Sequence, residues 1–257
     1  MDMNLTGKIA VVTGASRGIG YAIAHALAAQ GMRLVLAARS KDLLEQLALS
    51  LPVDCLVQAV DLRDPETPDA LIAAALAHFG QLDLLVNNAG ATKRGDFLTL
   101  SDADWSDGYA LKFFGAMRCC RAAWPLLKLN HGSIVNIVGI GGRTGSAEFT
   151  IGGSVNSALL NLTKSLADRG IKEGVRVNAI NPGSIATERL QSRIRVFAAE
   201  QHLDEVNAAQ ELAKSMGISR FGLPEEIADA VVYLASSHSK YIHGAVLDID
   251  GGQTRTL

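Results

Sequence analysis

Short apolar runs alternate along the chain with stretches whose apolar residues recur at helical spacing. Ile9 to Val12 is apolar on both faces and predicts a buried first strand, with Thr13 and Gly14 opening a turn. Gly18 to Gln30 predicts a helix, Arg33 to Ala37 a second strand, Lys41 to Ser50 a second helix and Cys55 to Val60 a third strand. Asp69 to Phe79 reads as helix and Leu82 to Val86 as a fourth strand. Ser101, with Asp104 three residues on, predicts a helix start, and Pro125 is expected to end that helix near Trp124. Ser133 to Val138 predicts a fifth strand, followed by a glycine-rich loop from Gly139 to Gly145. Ser154 to Asp168 reads as helix, Val175 to Ile180 as a sixth strand closed by Asn181-Pro182-Gly183, Pro224 to Ala235 as helix and Ala245 to Ile249 as a last strand. Strands apolar on both faces and separated by helices predict an α/β protein: a doubly wound parallel sheet of the Rossmann type, flanked by helices. No repeat or linker divides the chain, so residues 1–257 are expected to form a single dinucleotide-binding domain.

Composition narrows the partners. A formal net charge of -2 offers no basic footprint for nucleic acid, so a small-molecule substrate is the expected partner. No apolar run approaches the roughly 20 residues that span a bilayer, so no membrane partner is expected. Met1 to Gly7 is short and polar, and no targeting segment is expected. Cys55, Cys119 and Cys120 lack the spacing of metal ligands, so no metal is expected. Three thiols fit the reducing cytoplasm, where they are expected to be buried.

The first chemistry appears directly after the first strand. Thr13-Gly14-Ala15-Ser16-Arg17-Gly18-Ile19-Gly20 joins that strand to the first helix, the context a dinucleotide fingerprint requires. Gly14 permits the tight turn, Gly18 lets backbone approach a pyrophosphate, and Gly20 lets helix pack on strand. The helix N-terminus adds free N–H groups and a positive dipole end. The second strand ends in Ala37-Ala38-Arg39-Ser40, where NAD sites place an acid for the ribose hydroxyls. Arg39 and Arg17, with no acid beside them, predict a clamp for a 2′-phosphate, hence NADP(H) before NAD(H).

These motifs, taken together, resemble the classical short-chain dehydrogenase/reductase family over almost the whole length. The resemblance rests also on Asp61 after the third strand, Asn87-Asn88-Ala89-Gly90 after the fourth, Asn181-Pro182-Gly183 with Thr187, and Asp250-Gly251-Gly252. It implies that Asp61 and Leu62 lie near the adenine, that Asn88, Ala89 and Gly90 flank the cofactor, and that Pro182, Gly183, Ile185 and Thr187 sit by the nicotinamide. Asn87 is expected to brace the sheet. A substrate lid over about 188–220 is implied, and so is a homotetramer built on the helices from Asp102 and Ser154. The run Ala116, Met117, Cys119, Cys120 and Ala123 is expected to supply that interface.

The family's chemistry uses a Tyr, a Lys four residues later, a Ser after the fifth strand and an Asn on the long helix, because hydride transfer to a carbonyl makes an alkoxide that must be stabilised and protonated. Aligned by their neighbours, these positions fall on Gly152, Asn156, Gly139 and Lys112. No tyrosine occurs between Tyr109 and Tyr233, and the nearby hydroxyls of Ser146 and Thr150 are not acidic like a phenol. Lys112 is therefore the candidate acid, its pKa to be lowered by burial. Asn156 is a candidate for the nicotinamide ribose. Arg143, Glu148 and Ser154 are weaker catalytic candidates that read first as loop or cap residues, and Arg189, Arg193 and Arg195 could meet an anionic substrate but read first as a solvated helix face. The leading expectation is an NADP(H)-dependent oxidoreductase acting on a small carbonyl or alcohol with a non-standard active site. A catalytically inactive nucleotide-binding protein and another reaction class on the same fold stand as alternatives.

Overall fold

The computed structural model describes residues 2–255. Seven parallel strands form one sheet in the order β3-β2-β1-β4-β5-β6-β7. They are β1 (Ile9–Thr13), β2 (Arg33–Ala38), β3 (Cys55–Ala59), β4 (Leu84–Asn87), β5 (Ser133–Ile137), β6 (Arg176–Pro182) and β7 (Val246–Ile249). The order reverses between β1 and β4, which pair in the register Val12 with Val86. Such a reversal opens a crevice at the carboxyl ends of the strands, where ligands of this architecture bind.

Helices cover both faces, as strands without a polar face require. Ala10 and Val12 of β1 pack with α1 (Gly18–Ala29) and α9 (Pro224–Ala235), while Ile9 and Val11 face α3 (Thr67–Phe79) and α5 (Gly115–Leu129). The remaining helices are α2 (Lys41–Ser50), α4 (Asp102–Gly108), α6 (Thr150–Glu173), α7 (Glu188–Gln201) and α8 (Glu205–Ser215). Ser101 caps α4 in a full capping box with Asp104, as its sequence predicts.

Three expectations are corrected. Pro125 does not end its helix, which runs on to Leu129. The carbonyl deprived of its partner belongs to Arg121, which like Pro125 lies on the exposed side of the helix, where solvent can replace the lost bond. Helix α6 begins at Thr150 rather than Ser154, because burial of Ile151, Gly152 and Val155 outweighs the poor helix propensity of two adjacent glycines. Cys119, Cys120 and Ala123 face their own sheet in the core and are not available to another subunit. Both thiols are pushed up by burial, Cys120 to about 12.

The segment following β6 folds as a helical hairpin. Helices α7 and α8 meet through Leu190, Ile194, Ala198, Ala208 and Leu212, and His202 makes the turn with φ 54. Among the described residues no helix is long and apolar enough to cross a membrane, and no group of three or more metal-ligating side chains occurs.

Candidate active site

One end of the crevice, the turn after β1, is built from backbone. Gly14 and Gly18 take φ of +66 and +56, which side-chain-bearing residues avoid. A Cβ on Gly20 would lie 2.2 Å from the Gly14 carbonyl oxygen and 2.4 Å from Asn88 Nδ2, so helix and turn touch there. Arg17 occupies the N-cap of α1 without making a side-chain cap bond, which leaves the first-turn N–H groups free for an anion. Ser16 and Ile19 are partly exposed along the same turn.

Asn88 is a brace for this turn rather than a free ligand. Its Nδ2 donates to the carbonyls of Thr13 at 3.0 Å and Gly14 at 3.1 Å. The backbone N–H groups of Asn88 and Ala89 both donate to Thr13 Oγ1, at 2.9 and 3.0 Å. Asn87 braces the sheet as expected: it donates to Asn136 Oδ1 at 2.9 Å, and Asn136 donates to Thr163 Oγ1 at 2.9 Å.

Just beyond β3, Asp61 accepts from the backbone N–H of Arg63 at 3.0 Å. Leu62 buries its side chain in the core, leaving only its backbone to face a ligand. Arg63 donates to Asp107 on α4 at 2.5 and 3.1 Å. That bond holds the Asp107 carboxyl below its usual range, and the charge of Arg39 contributes a smaller share. Arg39 itself, one residue beyond β2, makes no hydrogen bond or ion pair among the described residues. Arg17, expected beside it, instead pairs with Glu188 at the start of α7 at 2.8 Å. Both partners are exposed, so the pair is weak and open to exchange.

At the other end lies Lys112. It sits in a π-helical turn, Tyr109–Phe114, between α4 and α5. Such turns re-aim side chains and are frequent at functional sites. The lysine stem crosses Gly90, where a Cβ would lie 2.9 Å from Lys112 Cδ. Its Nζ donates to the Val138 carbonyl, just after β5, at 2.5 Å. The residue keeps some exposure along its stem while the ammonium sits deep. Burial, aided by the nearby charge of Arg189, lowers its pKa from 10.5 to about 7. Arg189 donates to the Gly90 carbonyl at 3.1 Å. Gly90 thus serves two cations, a role its motif does not reveal.

The neighbouring backbone is fixed by a polar chain. Gly139 N–H donates to Asn181 Oδ1 at 3.2 Å, Asn181 Nδ2 donates to Asp248 at 2.8 Å, and Arg143 pairs with Asp248 at 3.4 Å. Arg143 is thereby a bracing residue. Asn156 is buried on α6 and donates to the Gly139 carbonyl at 3.4 Å, but its Oδ1 has no partner. A buried acceptor left open costs free energy unless a ligand donor fills it. Thr187 occupies the N-cap position of α7 without a side-chain cap bond, and its Cγ2 lies 3.2 Å from a Cβ built on Gly18. Pro182 is buried in β6, Gly183 donates to the Ile249 carbonyl at 3.0 Å, and Ile185 bridges to Gly222.

Gly152 is not an empty position. The Phe149 ring occupies its side-chain space: a Cβ on Gly152 would lie 2.1 to 2.6 Å from three ring carbons. The same ring packs on Gly141, and the Arg94 guanidinium lies 4.6 Å from its centroid. Nothing in the sequence pattern singled out Phe149 or Arg94, because both act through contacts between loops. Glu148 is exposed and Ser154 partly exposed.

The comparisons with known proteins agree with this geometry. The family model described as Enoyl-(Acyl carrier protein) reductase matches residues 14–254. The chain belongs to that family, a branch of the classical short-chain dehydrogenases/reductases. The 3-oxoacyl-[acyl-carrier-protein] reductase FabG of Escherichia coli is 34% identical over 254 residues, covering 97% of this chain and 98% of the relative. An uncharacterized oxidoreductase of Mycobacterium tuberculosis is 38% identical over 261 residues, covering 99% of this chain and 95% of the relative. The structure of L-sorbose reductase from Gluconobacter frateurii, complexed with NADPH and L-sorbose, superposes with a TM-score of 0.95 at 34% identity over 100% of both chains.

Proposed function

We propose that this chain is an NADP(H)-dependent oxidoreductase that interconverts a small carbonyl compound and its alcohol, with Lys112 moving the proton. The observation that carries the reading is the Lys112 ammonium, placed deep at the end of β5 with a pKa of about 7. The relatives named above support the reaction class, and the NADPH of the sorbose reductase supports the cofactor.

The residues present fit a dinucleotide. The uncapped α1 N-terminus and the turn at Gly14 and Gly18 suit its pyrophosphate, and the open Oδ1 of Asn156 suits a ribose hydroxyl. When bound, NADPH supplies a hydride to the carbonyl carbon. In the family's terms Gly152 takes the place of the tyrosine, and Phe149 fills its space with an apolar ring. Lys112 then exchanges its bond to Val138 for one to the substrate oxygen. Its positive charge stabilises the developing oxyanion, and an Nζ proton passes to that oxygen. The neutral amine left behind regains a proton from water. In the oxidative direction the neutral amine accepts the alcohol proton.

Arg39 at the end of β2, with no acid at that strand end, favours the 2′-phosphate. NADPH is expected to bind at least tenfold more tightly than NADH, about 1.4 kcal/mol. Calorimetry with both cofactors checks this, and equal affinities would contradict it. Arg39→Gln is expected to erase the difference. Tight NADPH binding with no turnover of any carbonyl or alcohol would instead favour a nucleotide-binding protein without catalysis.

Family likeness also supports a homotetramer through α5 and α6. Since Cys119, Cys120 and Ala123 are internal, the contact is expected on the outer faces, which expose Phe114 and Leu129 of this helical region. Sedimentation at micromolar concentration is expected to give a tetramer, and a monomer would refute it.

A further inference from the structure

Four cations converge on the loop from Gly90 to Gly95. The Lys112 stem crosses Gly90, and Arg189 donates to its carbonyl. Arg94, at the far end of the loop, lies over Phe149, and the loop is fastened there by the Gly95 N–H donating to the Glu148 carbonyl. Arg193 lies one turn beyond Arg189 and so on the same face of α7; burial first, and then the charge of Arg193, lower the Arg94 pKa. Among the described residues none of these four has a carboxylate oxygen within 4.0 Å.

The neighbouring acids are committed or few. Glu188 faces Arg17 and not this cluster, and Asp104 accepts from both Lys93 and Ser101. Arg195, also on α7, faces Glu205 instead. Glu148 opposes the lowering of the Arg94 pKa by burial and by the Arg193 charge, but with the smallest of the three effects. Cations gathered in this way repel each other unless a counter-charge arrives. The cofactor's phosphates have their own place at the turn Gly14 to Gly20. Arg94 lies elsewhere, on the ring that covers Gly152. Its contact with the ring uses none of the guanidinium N–H groups, which remain available to grip an oxyanion with two bonds.

We propose that the substrate carries an oxyanion, a carboxylate or a phosphate, which Arg94 and Arg193 hold while Lys112 faces the reacting oxygen. This assigns a substrate class to the proposed oxidoreductase site and rests on that reading. A neutral polyol such as the sorbose of the neighbouring structure is then a poor substrate here.

The test uses matched pairs that differ in charge: benzoylformate and its methyl ester, levulinate and its methyl ester, and L-sorbose 1-phosphate and L-sorbose. Binding to the NADP+-loaded protein is read by calorimetry, and NADPH oxidation is followed separately. In at least one pair the anion is expected to bind at least tenfold more tightly than its neutral partner. The pair in which this occurs separates carboxylate from phosphate. The double variant Arg94→Gln, Arg193→Gln changes two exposed residues and is expected to keep its melting temperature. It should lose the preference while its NADPH affinity stays within twofold. No preference in any pair, or a preference that survives the double variant, overturns the proposal. NADPH oxidation that treats acid and ester alike would overturn it and leave the oxidoreductase reading standing. An anion preference without any NADPH oxidation would do the reverse.

Discussion

Lys112→Met is expected to lower turnover by about 10²-fold, within the 10² to 10⁴ that a positioned acid contributes. NADPH affinity should change little, because the lysine touches Gly90 and Val138 and not the turn at Gly14 to Gly20. Methionine keeps most of the bulk across Gly90, so lost activity cannot be assigned to a collapsed loop. Lys112→Ala should behave alike in rate. The pH dependence has a definite sign. Reduction needs the protonated amine, so its rate should fall as pH rises through about 7. Oxidation needs the neutral amine and should rise over the same interval. Stability follows the same group. A lysine at 10.5 in the unfolded chain and about 7 when folded binds fewer protons in the native state between those values. The wild type should therefore gain stability relative to Lys112→Met as pH climbs from 7 towards 10. A flat difference in melting temperature over that range would show that the amine titrates normally.

Gly20→Ala is expected to weaken NADPH binding at least 10²-fold. The new Cβ would lie 2.2 Å from the Gly14 carbonyl oxygen and 2.4 Å from Asn88 Nδ2. Neither neighbour can yield cheaply. One is backbone of the phosphate turn, and the other is fixed by bonds to Thr13 and Gly14. Helix α1 must shift away, taking its free N–H groups out of line with the anion. Calorimetry with NADPH and circular dichroism check this together. Retained affinity would mean that the turn tolerates the shift and that the phosphates are held elsewhere.

The contrast between these two sites shows what the sequence makes legible. The turn after β1 depends on local rules: a glycine needed for positive φ, another needed for close approach, and a helix that follows at once. Each leaves a mark in eight consecutive residues. The parallel sheet is equally legible, because strands buried on both faces cannot carry polar alternation. The other end of the crevice is assembled from distant segments. Lys112 enters it through a π-turn that no periodicity announces. Phe149 fills the space beside Gly152 from three residues upstream, so a glycine that reads as a vacancy is packed against a ring. Arg17 reads as a phosphate ligand, yet Glu188, far along the chain, holds it. Pro125 reads as a stop, yet its place on the exposed side of the helix, with Arg121 one turn before it also exposed, makes it tolerable. In each case the outcome is decided by a partner that only the tertiary structure supplies.

The central claim is that hydride chemistry at this site is completed by Lys112 in place of a phenol. It is tested most directly by single-turnover transfer from NADPH deuterated at the nicotinamide C4, using whichever carbonyl substrate a screen yields, from pH 5.5 to 9. The account predicts deuterium on the product carbinol carbon and a rate that falls with a midpoint near pH 7 in the wild type. Lys112→Met should retain slow transfer without that midpoint. Absence of deuterium from every product, or the same pH profile in both proteins, would contradict it.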